Sequence, residues 1–199
     1  MFTGIIETIG EIVAVEQKNA NRHFTIQSSI SKELKPDQSV SHNGVCLTVV
    51  HADNHTHTVV AVKETLSRTN LGEIEKGAQV NLERAMPASG RFDGHIVQGH
   101  VDQFGKCVDA INENGSTKFW FSFNAGDDFL IVKKGSICID GVSLTVVDVE
   151  QYKFSVVIIP YTMEHTRFHS LKKGHAVNLE FDVLGKYVQK SLRSVQLSR

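Results

Sequence analysis

The chain has 199 residues, with 21 lysines and arginines against 22 aspartates and glutamates and a formal net charge of −1. That balance lacks the basic footprint of a nucleic-acid binder, and 41% hydrophobic with 22% charged residues is an ordinary globular composition. No window approaches the roughly 18 apolar residues of a spanning helix. The start, MFTGIIETIGEI, carries Glu7 and Glu11 but no basic region, so it does not read as a signal peptide, and a cytosolic protein is expected.

Along the chain the apolar runs are short, β-branched and bounded by turn residues. IGEIVAV, HFTIQS, LTVVHA, HTVVAV and QVNLE come first, then KFWFSF, SICI, LTVVDV, KFSVVII and AVNLE. Runs of this length, several alternating with period two, predict antiparallel strands rather than βαβ units. Short helical turns are expected at residues 30–34, where Ser31 can cap, and at 124–130, with Gly135 closing the turn that follows. His51, His55 and His57 alternate with small polar residues and read as a solvated hairpin turn. Cys46, Cys107 and Cys138 have no CxxC spacing, so neither a disulfide framework nor a zinc site is expected. The last segment places Leu184, Val188, Leu192 and Val195 at helical spacing, an amphipathic stripe suited to an oligomer contact.

The chain repeats itself. Gly44 to Val50 reads GVCLTVV and Gly141 to Val147 reads GVSLTVV, an offset of 97 (44 to 141) that also aligns Lys76–Glu83 with Lys173–Glu180 and Thr65 and Thr69 with Thr162 and Thr166. At the front, Gly4 and Gly10 match Gly99 and Gly105 at an offset of 95 (4 to 99). Two copies of one domain are the simplest reading, with the seam near the breaker-rich Met86-Pro87-Ala88-Ser89-Gly90. The expected fold is all-β: tandem six-stranded Greek-key β-barrels, residues 1–94 and 95–182, followed by a C-terminal amphipathic helix, residues 183–199.

Where the copies differ, chemistry enters. Cys46 stands opposite Ser143, each two residues before a threonine, so Cys46 and Thr48 share one strand face, as do Ser143 and Thr145. His100 replaces Ile5, placing a group that can take or give a proton near neutral pH where the first copy has none. Asp182 follows the last strand where the first copy has Ala85. P-loop, GxGxxG, HExxH and GxSxG motifs are absent from the sequence, which disfavours nucleotide hydrolysis, Rossmann cofactors and common hydrolase chemistry.

The segments MFTGIIE, HNGVCLTVV, KETLSRTNLG, GHIVQGHVD and IDGVSLTVV, in that order across essentially the whole chain, resemble the riboflavin synthase family. The resemblance implies dismutation of two 6,7-dimethyl-8-ribityllumazine molecules by four-carbon transfer, giving riboflavin and 5-amino-6-ribitylamino-uracil. It implies a homotrimer joined by C-terminal helices, association with lumazine synthase, and sites between the N-terminal barrel of one subunit and the C-terminal barrel of a neighbour. A duplicated domain suits a reaction between two copies of one substrate, and different groups at matched positions suit a donor and an acceptor.

The resemblance places Cys46, His100, Ser143, Thr145 and Asp182 as the catalytic group. For substrate binding it assigns Gly4, Ile5, Ile6, Cys46, Leu47, Thr48 and Val60, Ala61, Val62, Lys63, Glu64 and Thr65 to the N-terminal barrel. To the C-terminal barrel it assigns Gly99, His100, Val101, Lys134, Ser143, Leu144, Thr145 and Ile159, Pro160, Tyr161, Thr162, Met163 and Glu164. His100 is expected to take a proton from the acidic C7 methyl of one lumazine, and Cys46, or water beside Ser143, to add at C7 of the other. That chemistry calls for neither metal nor organic cofactor. Tyr161, Phe168 and Asp93 depart from the family's usual pattern. The same fold also serves non-catalytic lumazine- and flavin-holding proteins.

Overall fold

The computed structural model describes residues 1–124 and 131–196. The first half forms β1 (Thr8–Lys18), β2 (Asn21–Gln27), β3 (Ser39–His42), β4 (Val45–Ala52), β5 (Thr56–Ala61), α1 (Lys63–Arg68) and β6 (Gln79–Arg84). The second half repeats that plan as β7 (Gln103–Asn112), β8 (Thr117–Ser122), β9 (Ser136–Ile139), β10 (Val142–Val149), β11 (Lys153–Ile158), α2 (Pro160–His165) and β12 (Ala176–Phe181), and α3 (Val183–Gln196) follows. Each half closes into a six-stranded antiparallel barrel, in the order β1-β2-β5-β4-β3-β6 and β10-β11-β8-β7-β12-β9. The expected all-β double barrel with a C-terminal helix is the observed architecture.

Inward-facing residues fill two separate cores. Ile12, Phe24, Ile26, Val40, Val59 and Leu82 centre the first. The second is aromatic, with Phe119, Phe121, Phe154 and Phe168 in mutual ring contact at centroid separations of 5.4–6.3 Å. Phe168, a departure from the family pattern, is thus a core residue. Tyr161 is exposed and stacks on His165 at 4.1 Å.

Two hairpins carry the repeated motif. Asn43-Gly44 joins β3 to β4 and Asp140-Gly141 joins β9 to β10, with both central residues at positive φ (48° and 78°; 45° and 83°). Asn-Gly and Asp-Gly are the dipeptides that such two-residue turns select. The turn tips meet across a pseudo-twofold axis: a Cβ on Gly44 would lie 2.8 Å from the Gly141 nitrogen, and one on Gly141 2.9 Å from the Gly44 nitrogen. Reciprocal bonds seal the contact, Asn81 Nδ2 donating to the Asp140 carbonyl and Asn178 Nδ2 to the Asn43 carbonyl, both at 2.8 Å. The buried Asp140 carboxylate also pairs with Arg167 at 3.1 Å.

Two local expectations are corrected. Residues 31–33 form only a 3-10 turn, and Ser31 does not cap it. Its hydroxyl instead lies 2.9 Å from His57 Nδ1, and His57 is a buried β5 residue rather than part of a solvated turn. The turn itself lies between Asp53 and Thr56, where His55 is exposed. The helix expected at 124–130 falls outside the described residues except for Asn124. Gly135 does close a turn, its N–H donating to the Val132 carbonyl.

Candidate functional site

The two barrels exchange their entry segments. Phe2 and Val97, counterparts in the repeat, form an antiparallel bridge, bonded both ways at 2.7 and 3.1 Å. Beyond that bridge each segment crosses to the opposite barrel. The Gly4 carbonyl accepts from the Ser143 N–H at 2.8 Å, and the Gly99 carbonyl accepts from the Cys46 N–H at 2.9 Å. Ile6 packs on the second core and Val101 on the first. The assignment of Gly4–Ile6 to the first barrel's site and Gly99–Val101 to the second's is therefore reversed. The repeat aligns 4 with 99 whichever barrel each segment joins, so sequence could not reveal the exchange.

Gly4 and Gly99 are required where they stand. Both have positive φ, 79° and 78°, and a Cβ on either would sit 2.6 Å from the Cβ of Ser143 or Cys46 respectively. Gly99→Ala is expected to cost about 2 kcal/mol or more, left-handed strain plus displacement from Cys46. A denaturation midpoint within error of the parent's would contradict this.

Matched rims result. On the first barrel, Cys46 is half-buried, Leu47 points into the core, and Thr48 is exposed. The antiparallel register brings the start of β4 beside the end of β5, where Ala61 is buried and Val60 half-buried. Val62, Lys63 and Glu64 are exposed at the start of α1, with Thr65 half-buried, and exposed His100 arrives on the crossed segment. On the second barrel Ser143, Leu144 and exposed Thr145 hold the equivalent positions, Ile159, Pro160, Tyr161 and Glu164 are exposed, and Thr162 and Met163 are half-buried at α2. Exposed Ile5 arrives on the other crossed segment, and Lys134 is exposed at a left-handed turn (φ 68°). Val62 and Ile159, repeat counterparts, are 49% and 55% exposed beside exposed threonines. Apolar side chains left open at the same place on two barrels fit a flat, partly apolar ligand.

The polar groups are not matched. Ser143 Oγ lies 2.6 Å from His95 Nδ1. Burial lowers the His95 pKa from its ordinary value, opposed by the charge of Asp182. Asp182 also accepts from the Leu184 N–H at 3.0 Å, capping α3. His95 was not among the sequence candidates. At the offset of 95 its counterpart would fall before residue 1, so comparison of the halves could not flag it. Cys46 faces Ser41 across β3–β4, and Ser143 faces Cys138 across β9–β10. Each of these facing pairs thus joins one serine and one cysteine in reversed order, with Ser41 and Cys138 buried. Burial pushes the Cys138 thiol well above its ordinary pKa, which leaves the half-buried Cys46 as the thiol at the rim. Among the described residues no cluster of three or more His, Cys, Asp or Glu side chains could hold a metal ion.

Comparison with known proteins fits this geometry. The lumazine binding domain family matches residues 3–85 and again residues 98–182. The riboflavin synthase of Actinobacillus pleuropneumoniae is 42% identical over 195 residues, covering 96% of this chain and 90% of that one. That of Mycobacterium tuberculosis (strain ATCC 25618 / H37Rv) is 41% identical over 199 residues, covering 98% and 99%. Among solved structures, LumP complexed with riboflavin superposes with a TM-score of 0.83 at 22% identity, covering 91% of this chain and 99% of that one. LumP complexed with 6,7-dimethyl-8-(1'-D-ribityl) lumazine gives 0.82 at 20%, covering 90% and 98%, a likeness of fold. Two matched lumazine binding domains and whole-length relatives above 40% identity establish that the chain belongs to the riboflavin synthase family of paired lumazine-binding barrels.

Proposed function

We propose that the protein is a riboflavin synthase, converting two 6,7-dimethyl-8-ribityllumazine molecules into riboflavin and 5-amino-6-ribitylamino-uracil. The observation that carries this reading is chemical asymmetry on matched rims: a half-buried thiol at the rim that the Gly99-His100 segment joins on one barrel, and a hydroxyl 2.6 Å from an imidazole on the other. A holder of a single ligand needs neither group. His100, exposed on the crossed segment beside Cys46, is placed to take a proton from the C7 methyl of one lumazine, whose conjugate base is delocalised into the ring. The resulting carbon nucleophile needs an electrophile held close, and stacking the two rings supplies that through proximity. At the other rim Ser143 and His95, with Asp182 nearby, form an arrangement that activates a hydroxyl or a water for addition at C7. Thr145 and Thr48, exposed beside these groups, are in position to orient the ligand.

Both rims belong to one chain, yet a donor and an acceptor must meet. In this reading the first barrel of one subunit faces the second barrel of another in a homotrimer. Support comes from α3, where Leu184, Tyr187, Val188 and Leu192 are 56–69% exposed. The side chain of Val195, the fourth member of the expected stripe, lies outside the described residues. Leu184→Glu combined with Leu192→Glu is expected to lower the mass seen by light scattering toward that of one chain, and an unchanged mass would remove α3 from the interface.

The second reading, a lumazine- or flavin-holding protein without turnover, draws on the shared fold with LumP. Anaerobic incubation with the lumazine as sole organic reactant separates the two. Riboflavin absorbance supports the synthase, and tight binding without new absorbance supports the holder.

A further inference from the structure

Two buried carboxylates outside the catalytic group grip the crossed segments. Glu83 Oε1 accepts from the Thr3 N–H at 2.7 Å and the Thr3 hydroxyl at 2.8 Å, and its Oε2 accepts from the Gly4 N–H at 3.0 Å. Its repeat counterpart Glu180 accepts from the Gln98 N–H through Oε1 at 2.6 Å, and from the Gly99 and His100 N–H groups through Oε2 at 2.9 and 3.0 Å. Both residues are only 3–4% exposed. A buried carboxylate is costly unless its oxygens are satisfied, and here donors from the entry segment of the same half satisfy them. The other holds on the segments are the bridge at Phe2 and Val97, one bond each to Ser143 and Cys46, the His95 N–H bond to the Thr3 carbonyl at 3.1 Å, the burial of Phe2 and Val97 beside Cys138, and the packing of Ile6 and Val101 on the cores.

We propose that Glu83 and Glu180 are positioning residues of the candidate site, and that Glu180 holds the Gly99-His100 segment at the Cys46 rim. Each carboxylate converts a short crossing segment, which pairs in no sheet of either barrel, into a fixed wall of the rim. The two grips differ where the chemistry differs. Glu180 takes the N–H of His100 itself, while Glu83 takes a hydroxyl and leaves the N–H of Ile5 alone, so the histidine is held at its own residue. That reactive groups need placement rests on the synthase reading; the mechanical role does not.

Glu180→Gln keeps the shape but turns one acceptor oxygen into a donor aimed at a backbone N–H. It is expected to lower kcat for lumazine by about ten- to a hundredfold with a smaller change in KM, because misplacement of a reacting group acts on the chemical step. A readout free of turnover is alkylation of Cys46 by iodoacetamide, mapped by mass spectrometry. Loss of the Gly99 cover should raise the Cys46 labelling rate about fivefold in Glu180→Gln, while Glu83→Gln leaves it near the parent's and buried Cys107 and Cys138 stay slow in both. Equal labelling of Cys46 in parent and variant overturns the proposal. So does a rise at all three cysteines together, which would make Glu180 only a stabiliser of the whole fold. Hydrogen exchange of the parent tests the same point without substitution: amides of residues 98–100 should be protected to the degree of the barrel strands, and exchange at the free-peptide rate would overturn it. A parent with no turnover but with side-specific labelling would sink the synthase reading and leave the positioning role standing.

Discussion

Ser143→Ala and His95→Ala are each expected to reduce riboflavin formation by about a hundredfold or more, the range of a lost general acid–base or activating partner. The pair is a tight polar contact on the second rim, 2.6 Å between Oγ and Nδ1, and burial holds His95 toward its neutral, proton-accepting form. Because the two groups act as a unit, the double variant should lose little more than either single one. The fold should survive, since the lost contact is a single partly buried hydrogen bond worth about 1 kcal/mol. Steady-state assay with lumazine at saturation, alongside a thermal melt, checks both statements. Undiminished kcat in either variant would remove the dyad from the reaction.

The second large effect concerns stability in acid. His42 Nδ1 lies 3.1 Å from the Val40 carbonyl, which can only accept, so Nδ1 carries the proton. Its Nε2 then accepts from His57 Nε2 at 2.9 Å, leaving His57 Nδ1 to accept from Ser31, which accepts in turn from Ser28 at 2.8 Å. This one-way chain has no place for another proton. Burial, then the neighbouring His57, pushes the His42 pKa down to about 3, and burial pushes His57 down to about 4.

Both values lie below the ordinary 6.5, so the unfolded chain binds protons first as pH falls. The contribution is complete above pH 6.5, falls away through the window down to about 4 and 3, and levels off below it. Between pH 7 and 5 the loss should be on the order of 3–4 kcal/mol for the two histidines together. Glu83, Glu180 and Asp140, raised by burial, act in the opposite direction at the acid end. The second barrel has Ile139 and Phe154 at the matching positions, which gives the control. His42→Ile with His57→Phe should flatten the dependence of the urea midpoint on pH between 7 and 5, and an unchanged slope would contradict the account.

The barrels were legible because the signal was doubled. Two sets of short β-branched runs at one offset constrain each other, so a weak strand in one copy is supported by its partner. β3 shows the limit: SVSH has little apolar character, and the Asn43-Gly44 turn that defines its hairpin is the sequence cue for it. α1 and α2, of six residues each, are too short to show helical periodicity. His57 read as loop because alternation of histidine with small polar residues looks solvated, and only the fold supplies His42 and Ser31 as partners.

At the site, sequence comparison located Cys46, Ser143 and His100 because they break the repeat. It was blind to Glu83 and Glu180 for the opposite reason: they are identical in both copies, so comparison of the halves singles out neither. The exchange of segments was illegible because two crossed connections and two uncrossed ones give the same alignment.

The central claim is that two matched but chemically different rims move a four-carbon unit between identical substrates. Its most direct test is an isotope balance with lumazine carrying 13C at C6, C7 and both methyl groups, mixed with unlabelled lumazine. The account requires riboflavin whose carbocycle and methyl groups hold zero, four or eight labelled carbons in the binomial ratio, an unlabelled pyrimidine product, and two lumazines consumed per riboflavin formed. Any other isotopologue, or lumazine bound and recovered intact, would contradict it.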